Sequence, residues 1–117
     1  MTLFEVRRLC KLWKKRLRVE DWTTTIGFGT PEQMDGNLGL TMYDPRNAVA
    51  DILLAPEQAD QTYLDGGMEH TIIHELLHLV MHGWIEYEKE DVLQERSVNV
   101  IADALYWAYR NRPRSKQ

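Results

Sequence analysis

The sequence predicts an α+β domain whose elements follow one another in the order α-β-β-β-α-α. Apolar residues recur at helical spacing near the N-terminus, runs rich in β-branched and aromatic residues occupy the middle, and long proline-free segments follow. At 117 residues the chain is long enough to bury one core. It contains no internal repeat or low-complexity linker, so we expect residues 1–117 to form a single domain.

Residues 1–18 predict an amphipathic helix with a strongly basic outer face. This stretch holds seven basic residues and one acid, whereas residues 19–109 hold three basic residues and seventeen acids. Contact with nucleic acid stays open, but a solvated face that complements the acidic remainder is the simpler interpretation. The residues expected to face inward are Leu3, Val6, Leu9, Cys10, Trp13 and Leu17. Those expected to face outward are Arg7, Arg8, Lys11, Lys14, Lys15 and Arg18.

The middle of the chain predicts a small, three-stranded and mainly antiparallel sheet. The first strand covers 22–28, and the glycines and proline of 27–31 end it. The other two strands, at 38–43 and 48–54, flank the sequence Asp-Pro-Arg-Asn at 44–47, which suits a type I turn and therefore a hairpin. Pro56 then opens a short helical turn, and the glycines at 66 and 67 precede the next helix. We expect the sheet to pack on that helix.

The segment 68–82 predicts a buried helix that carries a metal-ligand motif. Most of the other residues in this segment are apolar, so its polar side chains must pair with one another or bind a ligand. His74 and His78 enclose Glu75 in the pattern H-E-x-x-H, which lets two imidazoles on one helix face share a zinc ion beside a carboxylate. His70 and His82 continue the same spacing, so spacing alone does not choose among the adjacent pairs. Only the central pair encloses a glutamate at its second position.

The two outer histidines have different expected roles. The stripe of histidines rotates by about 40° per step, so His70 and His82 turn to opposite sides of a site centred on the middle pair. His70 is expected at the surface or at the rim of the site. His82 precedes Gly83, the expected end of the helix, where its imidazole can cap the last carbonyls. It is also a candidate to contact the ligands or to stabilise an oxyanion.

Glu95 is the expected third ligand. It lies in the first turn of a second predicted helix, which Asp91 opens as N-cap with Gln94 three residues later. A chain that leaves the C-terminal end of the predicted helix at 68–82 must run back along that helix to reach the metal, and an antiparallel helix does this. Asn99 follows one turn later on the same face and is a candidate partner for a ligand. The acids of the connection, Glu86, Glu88, Glu90 and Asp91, are expected to be solvated.

These residues resemble the zinc metallopeptidases of the gluzincin type, which carry H-E-x-x-H on one helix and a glutamate ligand on the next. The resemblance covers roughly residues 70–109 and the strands before them more loosely. It implies a zincin-like fold and zinc held by His74, His78 and Glu95. The compact size is similar to the minimal gluzincins and to the short metallopeptidases of phages and prophages.

The stretch 74–82, H-E-L-L-H-L-V-M-H, is also similar to peptidases of the ImmA/IrrE kind, which cleave phage-type repressors. The downstream sequence E-R-S-V-N at 95–99 follows their glutamate-alanine-asparagine pattern only in part, so a repressor substrate is not implied. Metzincins are excluded, because they require glycine and histidine where this chain has Met81 and Trp84. The SprT-like class, which recruits a later histidine as ligand, is disfavoured because no histidine follows His82.

The expected function is zinc-dependent hydrolysis of a peptide bond in a peptide or protein substrate. Zinc would polarise the scissile carbonyl and lower the pKa of its bound water, and Glu75 would take the proton and return it to the leaving amine. Ligand histidines must be neutral, so activity should fall in acid. Tyr87 and Tyr106 are candidates to stabilise the oxyanion, and both fit equally well as core or interface aromatics.

Two other classes of function stay open. The chain could be a zinc-binding regulatory or interaction module without turnover, or a metal-free helical domain. The amount of bound zinc separates a metal-free domain from the two zinc-binding classes. Hydrolysis of peptides separates the peptidase from the zinc-binding module without turnover. Cys10 cannot form an internal disulfide, no apolar run reaches transmembrane length, and the N-terminus lacks a signal-peptide core. We therefore expect a cytoplasmic protein without a membrane partner.

Overall fold

A computed structural model describes residues 1–56, 67–82 and 91–110, with the backbone alone for 91–94. The elements are α1 (Leu3–Arg16), β1 (Thr23–Phe28), α2 (Pro31–Met34), β2 (Gly39–Asp44), β3 (Val49–Leu54), α3 (Gly67–Met81) and α4 (Asp91–Arg110). The α+β class and the order of the predicted elements are confirmed, and the short helix α2 is an addition. The helical turn expected beyond Pro56 and the connection 83–90, with Glu86, Glu88, Glu90 and Tyr87, lie outside the described residues.

Helix α1 begins at a capping box in which the Thr2 side chain accepts from the Glu5 backbone and the Glu5 side chain accepts from Thr2. Val6, Cys10 and Trp13 are its buried residues, which confirms the centre of the predicted apolar stripe. Leu3, Leu9 and Leu17 are partly buried, and the predicted outer residues are exposed except Lys14.

Lys14 corrects one detail of that helix, because it is half-buried rather than outward-facing. Its ammonium group donates to the Trp22 carbonyl at 2.7 Å and to the Thr24 hydroxyl at 3.1 Å. A long side chain can bury its carbon stem and still place its charge on a polar group. The contact ties the end of α1 to the start of β1.

Helix α2 has a local signal in the sequence. Thr30 and Gln33 form a second capping box, and Pro31 occupies the first turn, where its missing N–H costs nothing. Asp35, with φ 47°, and Gly36, with φ 81°, take left-handed conformations and end the helix after a single turn. The chain then enters β2.

The sheet has the strand order β1-β3-β2. The β2–β3 pair is antiparallel, as the predicted hairpin requires, and the Asp44 carboxylate accepts from the Arg46 backbone and the Asn47 side chain within the turn. The β1–β3 pair is parallel, so the sheet is mixed rather than mainly antiparallel. Strand β3 carries the buried residues Ala50, Ile52 and Leu54, and burial favours its central position.

Helix α3 lies at the centre of the fold. It packs against α1, β2, β3 and α4, and most of its residues are buried, which matches its nearly continuous apolar sequence. The apolar residues of α3 in the core are Met68, Ile72, Ile73, Leu76, Leu77, Leu79 and Met81. Within the described part of the chain, no helix is both long and apolar enough to span a membrane.

The pairing of α3 with α4 is antiparallel, as predicted. The first turn of α3 faces the end of α4, where the Glu69 carboxylate accepts from Arg110 Nε at 2.7 Å and Nη2 at 3.0 Å. The indole N–H of Trp13 on α1 donates to the same carboxylate at 2.7 Å. The ring of Tyr109 packs edge-on against Trp13 with a centroid distance of 5.0 Å. Glu69, only 7 % exposed, therefore joins three helices at one end of the domain.

Replacing Glu69 with alanine should lower the free energy of unfolding by about 2 to 3 kcal/mol, because the Trp13 indole N–H loses its partner inside the core. Urea denaturation measures this change. Glu32→Ala, at an exposed position of α2, is the control and should change the free energy by about 0.5 kcal/mol or less. A loss below about 1 kcal/mol in Glu69→Ala would contradict the role given to this carboxylate.

Candidate metal centre

Two histidines on α3 and one glutamate on α4 meet at the middle of α3. His74 and His78 lie one helical turn apart, and their ring centroids are 5.2 Å from each other. The Glu95 carboxylate spans both imidazoles, with Oε1 at 3.2 Å from His74 Nε2 and Oε2 at 2.8 Å from His78 Nε2. The three residues predicted as ligands are thus brought together although 16 residues separate His78 from Glu95 in the sequence.

This cluster has the chemistry of a metal site. One candidate ligand atom from each of His74, His78 and Glu95 lies within 4.8 Å of the other two. Two imidazole nitrogens and a carboxylate oxygen form a donor set that divalent transition metals accept, and three protein ligands leave a coordination position open. The histidines are partly buried and Glu95 is exposed, so the cluster lies at the boundary between core and solvent. It could therefore hold a metal ion that remains reachable from outside.

Glu75 lies beside this cluster and is 4 % exposed. Its Oε1 accepts a hydrogen bond from the Thr41 hydroxyl at 2.6 Å, and its Oε2 lies 3.9 Å from His74 Nε2. Burial raises the pKa of the Glu75 carboxyl, while the Thr41 hydrogen bond and the two neighbouring histidines act in the opposite direction. The carboxyl thus lies between the strand β2 and the imidazole of His74.

His70 is buried, which contradicts its expected place at the surface or rim. It is 5 % exposed because α4 runs back over the first turn of α3, and its Nε2 lies 3.6 Å from the Asp103 carboxylate. Among the described residues this nitrogen has no hydrogen-bond partner. Burial lowers the pKa of His70, which favours the neutral imidazole.

His82 belongs to an aromatic cluster at the other end of α3. Its ring lies 5.5 Å from the ring of Trp22 and 6.1 Å from that of Tyr43. Helix α3 ends at Met81, one residue before it. The imidazole is therefore placed against two rings of the sheet side rather than among the three clustered ligand atoms.

The remaining predicted contacts fall in different places. Asn99 lines the cleft together with His70, His74 and Glu95. Tyr106 lies farther along α4, with its ring 6.0 Å from that of His70 and 5.3 Å from that of Trp107. Tyr106 therefore lies beside the first turn of α3, which also contains Glu69. Tyr87 lies outside the described residues.

A cleft runs over the cluster, with α3 as its floor and β2 and α4 as its walls. Two adjoining cavities of about 410 and 480 Å³ make up this cleft, and both include His74, Glu75 and Glu95. The wall formed by β2 and the residues before it consists of Asn37, Leu38, Gly39, Leu40, Thr41 and Tyr43. A separate cavity of about 490 Å³ between α1 and β1 is lined by Arg7, Lys11 and Lys14 among others, and contains no histidine.

Sequence reasoning missed the contribution of β2 to the site. Thr41 binds Glu75 directly, and Gly39 lies so close that a Cβ atom there would be 2.6 Å from Glu75 Oε2. The glycine was a usable signal, since glycine within a strand often marks close approach of another group. The threonine gave none, because threonine is common in strands for its β propensity alone.

Comparison of the chain with protein-family models, with curated proteins and with solved structures found no match.

Alanine at His74 or His78 should abolish binding of zinc, and alanine at Glu95 should weaken it by orders of magnitude, because each change removes one of three candidate ligand groups. Equilibrium dialysis followed by metal analysis measures stoichiometry and affinity, and one zinc ion per chain is expected. Alanine at Glu86, Glu88 or Glu90 should change the affinity little. Parental affinity in Glu95→Ala, with a loss in one of those three variants, would sink the assignment of the third ligand.

Proposed function

We propose that this protein is a zinc-dependent peptide-bond hydrolase with a zincin-like active site. The proposal is carried by the convergence of His74, His78 and Glu95 at one point with a buried carboxyl, Glu75, beside them. A site that serves only structure usually closes with four protein ligands, whereas three ligands and an adjacent base are the arrangement that hydrolysis needs.

Each residue then has a definite role. His74 and His78 would hold the zinc ion through imidazole nitrogens, and Glu95 would hold it through a carboxylate oxygen. When bound, zinc supplies Lewis acidity, which polarises a carbonyl and acidifies water. Glu75 accepts the proton of the attacking water at Oε2, the oxygen that faces the ligands, and delivers it to the amine nitrogen that leaves. Burial of this carboxyl favours proton uptake, which a general base requires.

The shape of the cleft supports a peptide as substrate. Strand β2 is an edge strand of the described sheet, and Ala55 N–H donates to the Leu38 carbonyl at 2.9 Å. In an antiparallel ladder, alternate residues face the partner, so Gly39 and Thr41 direct their backbone groups away from β3. An extended peptide can add to this edge as a further strand and so pass directly over Glu75. The edge position of β2 therefore supports a polypeptide as the substrate.

The decisive experiment measures cleavage of a diverse peptide mixture by the zinc-loaded chain, with mass spectrometry of the products. We expect cleavage that a strong chelator removes and that added zinc restores. Glu75→Gln should bind zinc with parental affinity and reduce the rate by about 10³-fold, since it keeps the shape of the side chain and removes the base. A Glu75→Gln variant as active as the parent would refute the role of Glu75.

Two further outcomes are informative. Stoichiometric zinc in a parental chain that cleaves no peptide would favour a zinc-binding regulatory or interaction module. A chain that binds no zinc at all would overturn the proposed function at its first step.

A further inference from the structure

The buried carboxyl of Glu75 lies close to the edge strand β2 at two positions. One oxygen accepts a hydrogen bond from the Thr41 side chain, and the other lies against the backbone of Gly39. Both contacts join residues more than thirty positions apart in sequence. Thr41 and Gly39 both belong to β2, which also forms a wall of the cleft. The same strand therefore contacts the proposed base and provides the edge proposed to bind the substrate.

We propose that Thr41 and Gly39 are positioning residues that aim a single oxygen of Glu75, Oε2, at the water to be activated. The inference rests on the proposed function and adds to it the device that orients the base. Within the described part of the chain, neither residue forms a hydrogen bond with His74, His78 or Glu95, so their effect on hydrolysis passes through Glu75.

The Thr41 hydroxyl distinguishes the two carboxylate oxygens. It donates to Glu75 Oε1 at 2.6 Å, and the Glu75 backbone carbonyl is a longer alternative acceptor at 3.4 Å. A hydroxyl has one proton to donate, and a carboxylate is the stronger acceptor, so the carboxylate receives it. Oε1 is thereby occupied, while Oε2 is left on the side of His74 Nε2.

Gly39 provides the space in which that orientation is possible. It lies in an extended strand, so backbone freedom does not explain the absence of a side chain. A Cβ atom at this position would lie 2.6 Å from Glu75 Oε2 and 2.9 Å from its Cγ and Cδ atoms, which is closer than nonbonded atoms approach. Any larger residue would therefore push the carboxyl out of its present position.

The hydrogen bond is tested with Thr41→Val, which has nearly the same shape and lacks the hydroxyl. We expect kcat to fall by about 30-fold, in the range known for groups that orient reacting side chains. KM and zinc affinity should change by about twofold or less, because the backbone edge and the ligands are untouched. Thr41→Ser restores the hydroxyl and should recover most of kcat. Thr23→Val, at an exposed threonine of β1, is the matched control.

A merely structural role for Thr41 predicts a different result. Loss of packing would lower stability and would not be repaired by serine, which lacks the methyl group. An unchanged kcat in Thr41→Val, or equal losses in the valine and serine variants, would overturn the role of the hydroxyl.

The close approach is tested with Gly39→Ala, for which the chain provides a strict control. A Cβ atom at Gly27, also in a strand, would meet no atom within 4 Å, so Gly27→Ala measures the effect of the substitution itself. We expect kcat to fall by about 100-fold in Gly39→Ala with zinc retained, and by about twofold or less in Gly27→Ala. Equal activity of the two variants would overturn the inference.

A readout without turnover separates this inference from the proposed function. Crystal structures of the zinc-loaded parent and of Gly39→Ala should show the Glu75 carboxyl displaced from the ligand side in the variant. An undisplaced carboxyl contradicts the positioning role even where hydrolysis is found. A displaced carboxyl in a protein that cleaves no peptide supports the positioning of Glu75 and leaves only the proposed reaction refuted.

Discussion

Helix α3 is buried on nearly every side, so its buried carboxylates need partners on neighbouring elements. Glu69 is satisfied by α1 and α4 through Trp13 and Arg110. Glu75 is satisfied by β2 through Thr41. The carboxylate of Glu95 bridges His74 and His78, which lie on the same helix. The polar residues of one helix therefore organise the packing of the elements around it, and the candidate metal centre is one part of that arrangement.

The same constraint gives the two buried glutamates different surroundings. Glu69 is paired with a guanidinium group and an indole N–H at the end of the helix pair, so its charge is fully engaged in holding helices together. Among the described residues, Glu75 has one hydroxyl donor, Thr41 at 2.6 Å, and its second oxygen faces the histidines. A carboxyl with one oxygen held and the other directed into a cleft is suited to proton transfer, whereas a fully paired one is suited to structure.

Four histidines with identical spacing show how strongly surroundings determine chemistry. The central pair meets Glu95 and forms the cluster, because α4 comes level with the middle of α3. His70 is covered by α4 and faces Asp103, whereas His82 follows the end of the helix and packs on Trp22. The imidazoles repeat every turn, but α4 and the sheet each cover only part of the stripe. Position along the helix relative to these neighbours, rather than residue type, separates candidate ligands from packing residues.

Local pattern in the sequence was sufficient for three strands and three helices, though α2 was missed, and for the centre of the site. Helical periodicity predicts α1, α3 and α4, the turn at 44–47 predicts the hairpin, and the glutamate between His74 and His78 singles out that pair. The need for the chain to return along α3 also predicts the approach of Glu95. These features depend on neighbours in sequence or on chain connectivity, which periodicity and spacing express. The central place of β3, the burial of His70 and the support of Glu75 by Thr41 and Gly39 were decided by the tertiary structure, because each depends on which surfaces of distant segments meet.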